Sequence, residues 1–165
     1  MIIAYLLCHL LTHLAGSNKV MNERIVDFIS QQKVASVCCV DAENHPYCFS
    51  CFYAFDKERN LIYFKSGSAA NHSQLLLQNP AVAGTIQPDK LNTLAIKGVQ
   101  FTGRILDGKD ELCSQTESVY HKKFPFALAM PGEVWTLQLE VIKMTDNTLS
   151  FGKKLHWQLH ELAEQ

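Results

Sequence analysis

The chain has 165 residues, of which 47% are hydrophobic and 19% charged, and its formal net charge is −1. This length suits a single domain, and the apolar fraction is large enough for a packed core, which excludes an intrinsically disordered chain. The basic residues do not cluster, so the sequence gives no support for nucleic-acid binding, which usually needs a basic patch.

The first fifteen residues form an apolar run, from Met1 to Ala15. The run is shorter than the roughly 20 residues that a membrane span needs, and no positive charge precedes it, as a signal peptide would require. Met21 then opens a segment that looks like a natural start. Two interpretations of residues 1–20 stay open: a non-native or misassigned extension, or a segment with a membrane or export role.

Hydrophobic periodicity predicts a helix and then hairpin-linked strands in the first half of the chain. Asn22 suits a helix N-cap, because Ile25, Val26, Phe28 and Ile29 follow it at helical spacing. The elements predicted after this helix are strands over Val34–Val40, Tyr47–Phe55 and Leu61–Lys65, and a helix over Ala69–Asn79 that Pro80 ends.

The second half of the chain continues the same pattern of short elements. Its predicted elements are strands over Ala81–Ile86 and Leu94–Leu106, a helix over Lys109–Lys123, and strands over Val134–Met144 and Leu149–Leu155. Gly98 and Gly103 interrupt the long strand and indicate bends or a bulge.

Six or seven short strands with three short helices favour a mainly β (α+β) fold. Because most of the strands are joined by hairpins, we expect an antiparallel barrel rather than a parallel sheet. The predicted domain organisation is an N-terminal extension over 1–20, one barrel domain over 21–157 and a tail over 158–165.

The cysteines are predicted to be reduced, and no metal site is expected. Cys38, Cys39, Cys48 and Cys51 lie in apolar, strand-like runs, where free cysteine behaves as a small hydrophobe. A chain this rich in apolar residues does not need disulfides, so we expect thiols in a reducing compartment and a cytoplasmic location. The Cys48-x-x-Cys51 spacing does not favour a redox or zinc site, because strand residues three apart point to opposite faces and no second pair follows.

Four stretches of the sequence together resemble a known family. They are Asn79–Thr85 (NPAVAGT), Lys97–Gly103 (KGVQFTG), Val134-Trp135, and Lys143–Lys154 (KMTDNTLSFGKK). They are similar to the YhbP-like family of uncharacterised bacterial proteins, within the pyridoxamine-5′-phosphate-oxidase-like, FMN-binding split-barrel group. The resemblance covers residues 25–157. It implies a six-stranded split β-barrel, a homodimer and FMN bound at the subunit interface, and it implies no substrate.

A phosphate site is predicted where the third strand gives way to a helix. The segment Ser66–His72 (SGSAANH) has a strand end, small residues and a first helical turn, which together suit a phosphate dianion. The resemblance places Ser66 at the group's hydroxyl position, His72 at its lysine position and Asn71 where an arginine is common. Ser68 lies between them and joins the predicted site. An ordinary serine and glycine turn is the alternative.

The remaining candidate residues follow from the resemblance. The second strand, with Ser50, Cys51 and Phe52, corresponds to the strand along the flavin ring, and Lys97 to a position that is often basic. Gln100 is a further candidate, and solvated strand residues are the alternative for both. The group's arginine near Phe49 and lysine near Ala54 are missing here, which argues against pyridoxine-phosphate oxidation.

Two functions therefore stay open at this point. One is an FMN-dependent oxidoreductase of unknown substrate, in which the flavin performs the electron chemistry. The other is a non-enzymatic dimeric module that binds another small molecule in the same crevice. The phosphate segment favours the first function, and the missing basic residues favour the second.

Overall fold

The computed structural model describes residues 20–93, 95–148 and 152–159. The expectations for the N-terminal extension and for most of the C-terminal tail lie outside these ranges, as do Leu94, Cys8 and the predicted strand start at Leu149. The helices are α1 (Glu23–Gln31), α2 (Asn71–Gln78) and α3 (Thr116–Lys123), with short 3-10 helices at Glu111–Gln115 and Pro125–Ala129. The strands are β1 (Val34–Val40), β2 (Pro46–Asp56), β3 (Leu61–Ser66), β4 (Ala81–Ile86), β5 (Lys97–Ile105), β6 (Glu133–Asp146) and β7 (Lys154–Gln158).

The strands form one antiparallel sheet in the order β3-β2-β1-β4-β5-β6-β7. An additional pairing between β3 and β6 closes the first six of these strands into a barrel, and β7 adds to the second half of β6. The predicted split β-barrel is therefore confirmed. Closure pairs the outer edge of β3 with β6, an edge that an open sheet of this size would expose.

The barrel interior is filled by the alternate residues that face inward from each strand. Val37, Tyr53, Phe64 and Ile142 are buried, and Ile25, Phe28 and Ile29 of α1 join the same core. The hydroxyl of Tyr53 donates a hydrogen bond to the carbonyl of Ile29, at 2.5 Å. This bond ties α1 to the barrel without leaving a buried hydroxyl unpaired.

Helix α3 covers one part of the barrel's outside. Tyr120 and Phe124 pack on Ala54 and Tyr63, which point outward from β2 and β3. Among the described residues, the outer faces of β1, β4 and β5 carry no such cover, and together they form an uncovered outer face. No helix in the described ranges has the length and apolar character that crossing a membrane requires.

The structure divides the helix that was predicted over Lys109–Lys123. A 3-10 turn capped by Asp110 precedes α3. At the start of α3, the hydroxyl of Thr116 donates to the carbonyl of Cys113 at 2.8 Å, so it accepts from the hydroxyl of Thr136 at 2.7 Å. Gly103 lies at a register shift between β5 and β6, which confirms the predicted bulge there. At the C-terminus, Leu159 still packs in the core, two residues beyond the predicted domain boundary.

The prediction of reduced cysteines is wrong for Cys38 and Cys48, which form a disulfide. The two residues lie directly opposite each other on β1 and β2, with Cα atoms 4.1 Å apart. The sequence predicted both strands but not which residues face each other, so this pairing was missed. The thiols of Cys39, Cys51 and Cys113 are free.

Candidate functional site

One side of β2 is left open where the barrel splits. β2 pairs with β1 from Pro46 to Phe52, whereas β3 pairs with β2 only from Tyr53 onward. Within the described residues, no strand lies beside Pro46–Phe52 on that side. We call this segment the open edge.

The backbone groups at the open edge alternate in direction. The amide of Tyr53 donates to the carbonyl of Lys33 at 2.9 Å. In the antiparallel register this places the backbone groups of Cys51 toward β1, and those of Cys48 and Ser50 away from it. The open edge therefore presents the N–H and C=O groups of Cys48 and Ser50, which match the alternating donors and acceptors of a flat heterocycle.

Two of the predicted phosphate residues, Ser66 and His72, come together beside this edge with one further serine, Ser73. Ser66 Oγ lies 2.6 Å from His72 Nε2 and 2.9 Å from Ser73 Oγ. Ser73 is buried, and Ser66 and His72 are half-buried. The chain turns sharply here because the amide of Ala70 donates to the carbonyl of Gly67 at 3.0 Å, and α2 begins only at Asn71.

The imidazole of His72 is held against an aromatic ring. Its ring stacks on Phe49, with centroids 3.9 Å apart and an interplanar angle of 12°. Partial burial lowers the pKa of His72 below its usual value. His72 is therefore a neutral hydrogen-bonding group at pH 7 and not a replacement for a lysine charge.

The first turn of α2 fits a phosphate through neutral donors. No side chain caps its N-terminus, so the first amides of the helix remain available as donors. Asn71 and Ser68 are exposed at this turn, and the carbonyl of Ser68 accepts from Gln74 Nε2 at 2.7 Å. The nearest lysine along the chain, Lys65, donates to the carbonyl of Ala127 at 2.8 Å. These residues can therefore donate hydrogen bonds to a phosphate, but they lack the positive charge that would bind it tightly.

The other strand candidates divide between the two faces of the sheet. Ser50 and Phe52 are exposed on the outer face, whereas Cys51 is half-buried and packs against the core. Burial raises the pKa of Cys51 to about 12. Ser50 and Gln100 share the outer face, because the register links Ser50 to Ser36, Ser36 to Thr85 and Thr85 to Gln100. A groove of about 410 Å³ lies on this face, beside Ser36, Phe52 and Thr85.

Lys97 belongs to a different part of the molecule. It pairs in register with Asp146, and its Nζ lies 3.6 Å from the buried carboxylate of that residue. Burial alone would raise the pKa of Asp146, but hydrogen bonds from Thr148 and the charges of Lys97 and Arg24 hold this pKa below its usual range. Lys97 lines a separate cavity of about 690 Å³ and is not brought together with Ser66 or Ser50.

Sequence reasoning missed three residues of the site. Phe49 orients His72, and Ser73 completes the hydrogen bonds of Ser66. Gly132, at φ +113°, lets the preceding loop approach Ser66, since a Cβ there would lie 2.9 Å from the carbonyl of Ser66. Phe49 and Ser73 adjoin predicted residues in the sequence, but only the fold brings Gly132 to this place.

Comparison with known proteins gives close relatives by sequence. The UPF0306 protein of Serratia proteamaculans is 38% identical over 137 residues, covering 82% of this chain and 93% of the relative. The UPF0306 protein of Yersinia enterocolitica is 37% identical over 133 residues, covering 81% and 90%. No family model matches the chain.

Solved structures with low sequence identity share the fold. A heme binding protein from Mycobacterium smegmatis superposes with a TM-score of 0.66 at 13% identity, over 79% of this chain and 55% of that one. A FAD-binding protein from Mesorhizobium loti superposes with a TM-score of 0.60 at 14% sequence identity, over 75% of this chain and 93% of that one. A heme storage protein from Vibrio cholerae superposes with a TM-score of 0.55 at 18% sequence identity, over 73% of this chain and 89% of that one. At these identities the likeness establishes the split barrel alone.

Proposed function

The chain belongs to the UPF0306 family, and we propose that it is a dimeric flavin-binding protein, whose FMN ring lies along the open edge of β2. Its function would be that of an FMN-dependent oxidoreductase of still unnamed substrate. Bound FMN would supply two-electron transfer, and this chain's residues would bind and orient it.

The observation that carries this proposal is the open edge itself. It exposes the backbone groups of Cys48 and Ser50, and it ends beside the first turn of α2 and the cluster of Ser66 and His72. A flavin mononucleotide needs a flat hydrogen-bonding partner for its ring and a donor-rich turn for its phosphate. The open edge and the α2 turn supply these two features side by side. Among the neighbours in fold, one is named for binding FAD, which supports the choice of a flavin.

Adding a positive charge to the first turn of α2 tests where the phosphate binds. The Asn71→Arg variant is expected to bind FMN about fivefold more tightly, because one charge-assisted hydrogen bond to phosphate is worth about 1 kcal/mol. Fluorescence quenching of FMN measures the affinity, and riboflavin, which has no phosphate, should show no gain.

The matched control places the same charge on the same helix, away from its N-terminus. Gln78 is exposed at the last turn of α2, so Gln78→Arg should leave FMN affinity within about twofold of the parent. An equal gain in both variants would mean attraction by net charge and would argue against a phosphate at the α2 turn.

A second copy of the chain would complete the site from the uncovered outer face. Two neighbouring rows of paired residues run across β2, β1, β4 and β5 on this face, and neither row contains a charged side chain. The first row is Ser50, Ser36, Thr85 and Gln100, and the second is Cys48, Cys38, Ala83 and Thr102. Depletion of charge is characteristic of the centre of protein interfaces. We place the homodimer contact on this face, with its rim at the open edge.

Thr102→Arg is expected to weaken the dimer at least tenfold, which corresponds to about 1.4 kcal/mol, because symmetry would bring two buried charges together. Light scattering across a dilution series measures the dissociation constant. Thr102 is exposed, so the variant should fold normally. The control Ser118→Arg, on exposed α3 surface, should keep the parent's dimer, and an unchanged Thr102→Arg dimer would exclude this face.

A binding module without flavin is the second candidate. The neutral character of the α2 turn favours it, since His72 is uncharged and Lys65 is engaged elsewhere. Such a module would take a flat ligand without a phosphate at the same open edge. The absence of saturable binding of either FMN or riboflavin to the parent protein would favour this second function.

A further inference from the structure

We infer that the Cys38–Cys48 disulfide is a reversible thiol–disulfide exchange site, opened and closed by small thiols such as glutathione. The pair joins β1 to β2 at the open edge, on the outer face of the barrel. This inference goes beyond flavin binding and does not depend on it.

The backbone around the pair is held without the disulfide. In the register fixed by Tyr53 and Lys33, the flanking pairs Val37–Phe49 and Cys39–Tyr47 exchange the backbone hydrogen bonds. Cys38 and Cys48 therefore form a non-hydrogen-bonded pair of β1 and β2, where the two side chains approach and no hydrogen bond between β1 and β2 depends on them. Breaking the S–S bond leaves the β1–β2 ladder and the buried core intact.

The two cysteines differ in exposure. Cys48 is exposed on β2, whereas Cys38 is half-buried between β2 and β4. The neighbours of the pair on this face are small or uncharged, with Ser36 and Ser50 on one side and Ala83 opposite Cys38. On the single chain, a small thiol thus has an unobstructed approach to Cys48, which lies at the rim and not at the centre of the proposed dimer contact.

The reaction consumes two equivalents of the small thiol. The first thiolate attacks Cys48 Sγ, the Cys38–Cys48 bond breaks, and Cys38 takes up a proton as a free thiol. A second small thiolate then attacks the mixed disulfide, which releases Cys48 as a thiol and forms the disulfide of the small molecule. Two electrons pass from the small thiols to the protein, and oxidised glutathione drives the same steps in reverse.

The neighbouring thiols of Cys39 and Cys51 do not compete for the pair. Burial raises the pKa of both Cys39 and Cys51, to about 12 for Cys51, so each remains a protonated, unreactive thiol. Cys39 is adjacent to Cys38 in sequence but points to the opposite face. The thiols of Cys39 and Cys51 therefore take no part in the exchange.

Alkylation of the native, full-length protein followed by mass spectrometry tests this inference. After incubation with reduced glutathione, two additional alkylated thiols per chain should appear, and peptide mapping should assign them to Cys38 and Cys48. Oxidised glutathione should remove both again. The circular dichroism spectrum should be the same in the two forms, because the strand pairing is retained.

Two variants sharpen the test. In Cys38→Ser, the remaining Cys48 has no partner and should gain the mass of one glutathione from oxidised glutathione. In Cys113→Ser, the matched control elsewhere on the chain, the exchange should proceed as in the parent. The inference would be overturned if Cys38 and Cys48 were labelled only after the protein is unfolded by denaturant. It would also be overturned if the two additional labels mapped to other cysteines. Since the readout needs no flavin, its failure is distinct from a failure of FMN to bind.

Discussion

Replacing Ser50 by proline is expected to weaken FMN binding about tenfold and to leave the barrel folded. The amide of Ser50 points to the open edge and makes no ladder bond with β1. Proline is tolerated at such unpaired edge positions, because the N–H that it removes bonds to no neighbouring strand. The variant therefore deletes one donor that the proposal gives to the flavin ring. Titration with FMN measures the loss, and thermal unfolding verifies the fold.

The matched control for this variant is Ser50→Ala. Both substitutions remove the hydroxyl, which lies 3.3 Å from the hydroxyl of Ser36, but only proline removes the N–H. Ser50→Ala should therefore bind FMN within about twofold of the parent. Equal affinities for the proline and alanine variants would show that the ring does not use this amide.

Gly103→Ala is expected to destabilise the protein by about 3 kcal/mol, and to lower the Tm by roughly 6–12 °C. Gly103 lies at the bulge where β5 and β6 change register, and Glu140 is the extra residue on β6. A Cβ at position 103 would overlap the carbonyl oxygen of Gln138, and would lie 3.1 Å from its carbon. Backbone atoms on a central strand cannot move aside without breaking the ladder.

Gly108→Ala provides the control for glycine replacement in general. No atom lies within 4 Å of a Cβ built there, so its effect should stay within about 0.5 kcal/mol. Chemical denaturation of both variants compares them directly. A Gly103→Ala variant as stable as Gly108→Ala would mean that the bulge relaxes, and that the strand register is not fixed at this glycine.

Most elements of the barrel were predictable because their patterns are local. β1 and β4 have the predicted bounds, and Asn22 caps α1 by accepting from the amide of Arg24. The segment before α3 was not predictable in detail. There the hydroxyl of Thr116 bonds both within its own turn and to Thr136 on β6, and the second contact depends on the tertiary fold.

The candidate site was predictable only within its continuous segment. Ser66, Ser68, Asn71 and His72 lie close together in sequence, and the structure keeps them at one turn. The sequence around Lys97 does not indicate its partner, which the fold shows to be the buried carboxylate of Asp146. The disulfide was missed for a related reason, since strand register fixes which cysteines meet and is not encoded in either strand alone.

The central claim, a flavin at the open edge, is tested most directly by titrating the purified protein with FMN and recording the absorbance of the flavin. We predict saturable binding of one FMN per chain, with shifted isoalloxazine bands that mark a ring in a new environment. Hemin is titrated in parallel, because two of the structural neighbours are named as heme proteins. An unshifted flavin spectrum at a large excess of FMN, or saturable binding of hemin alone, would contradict the account.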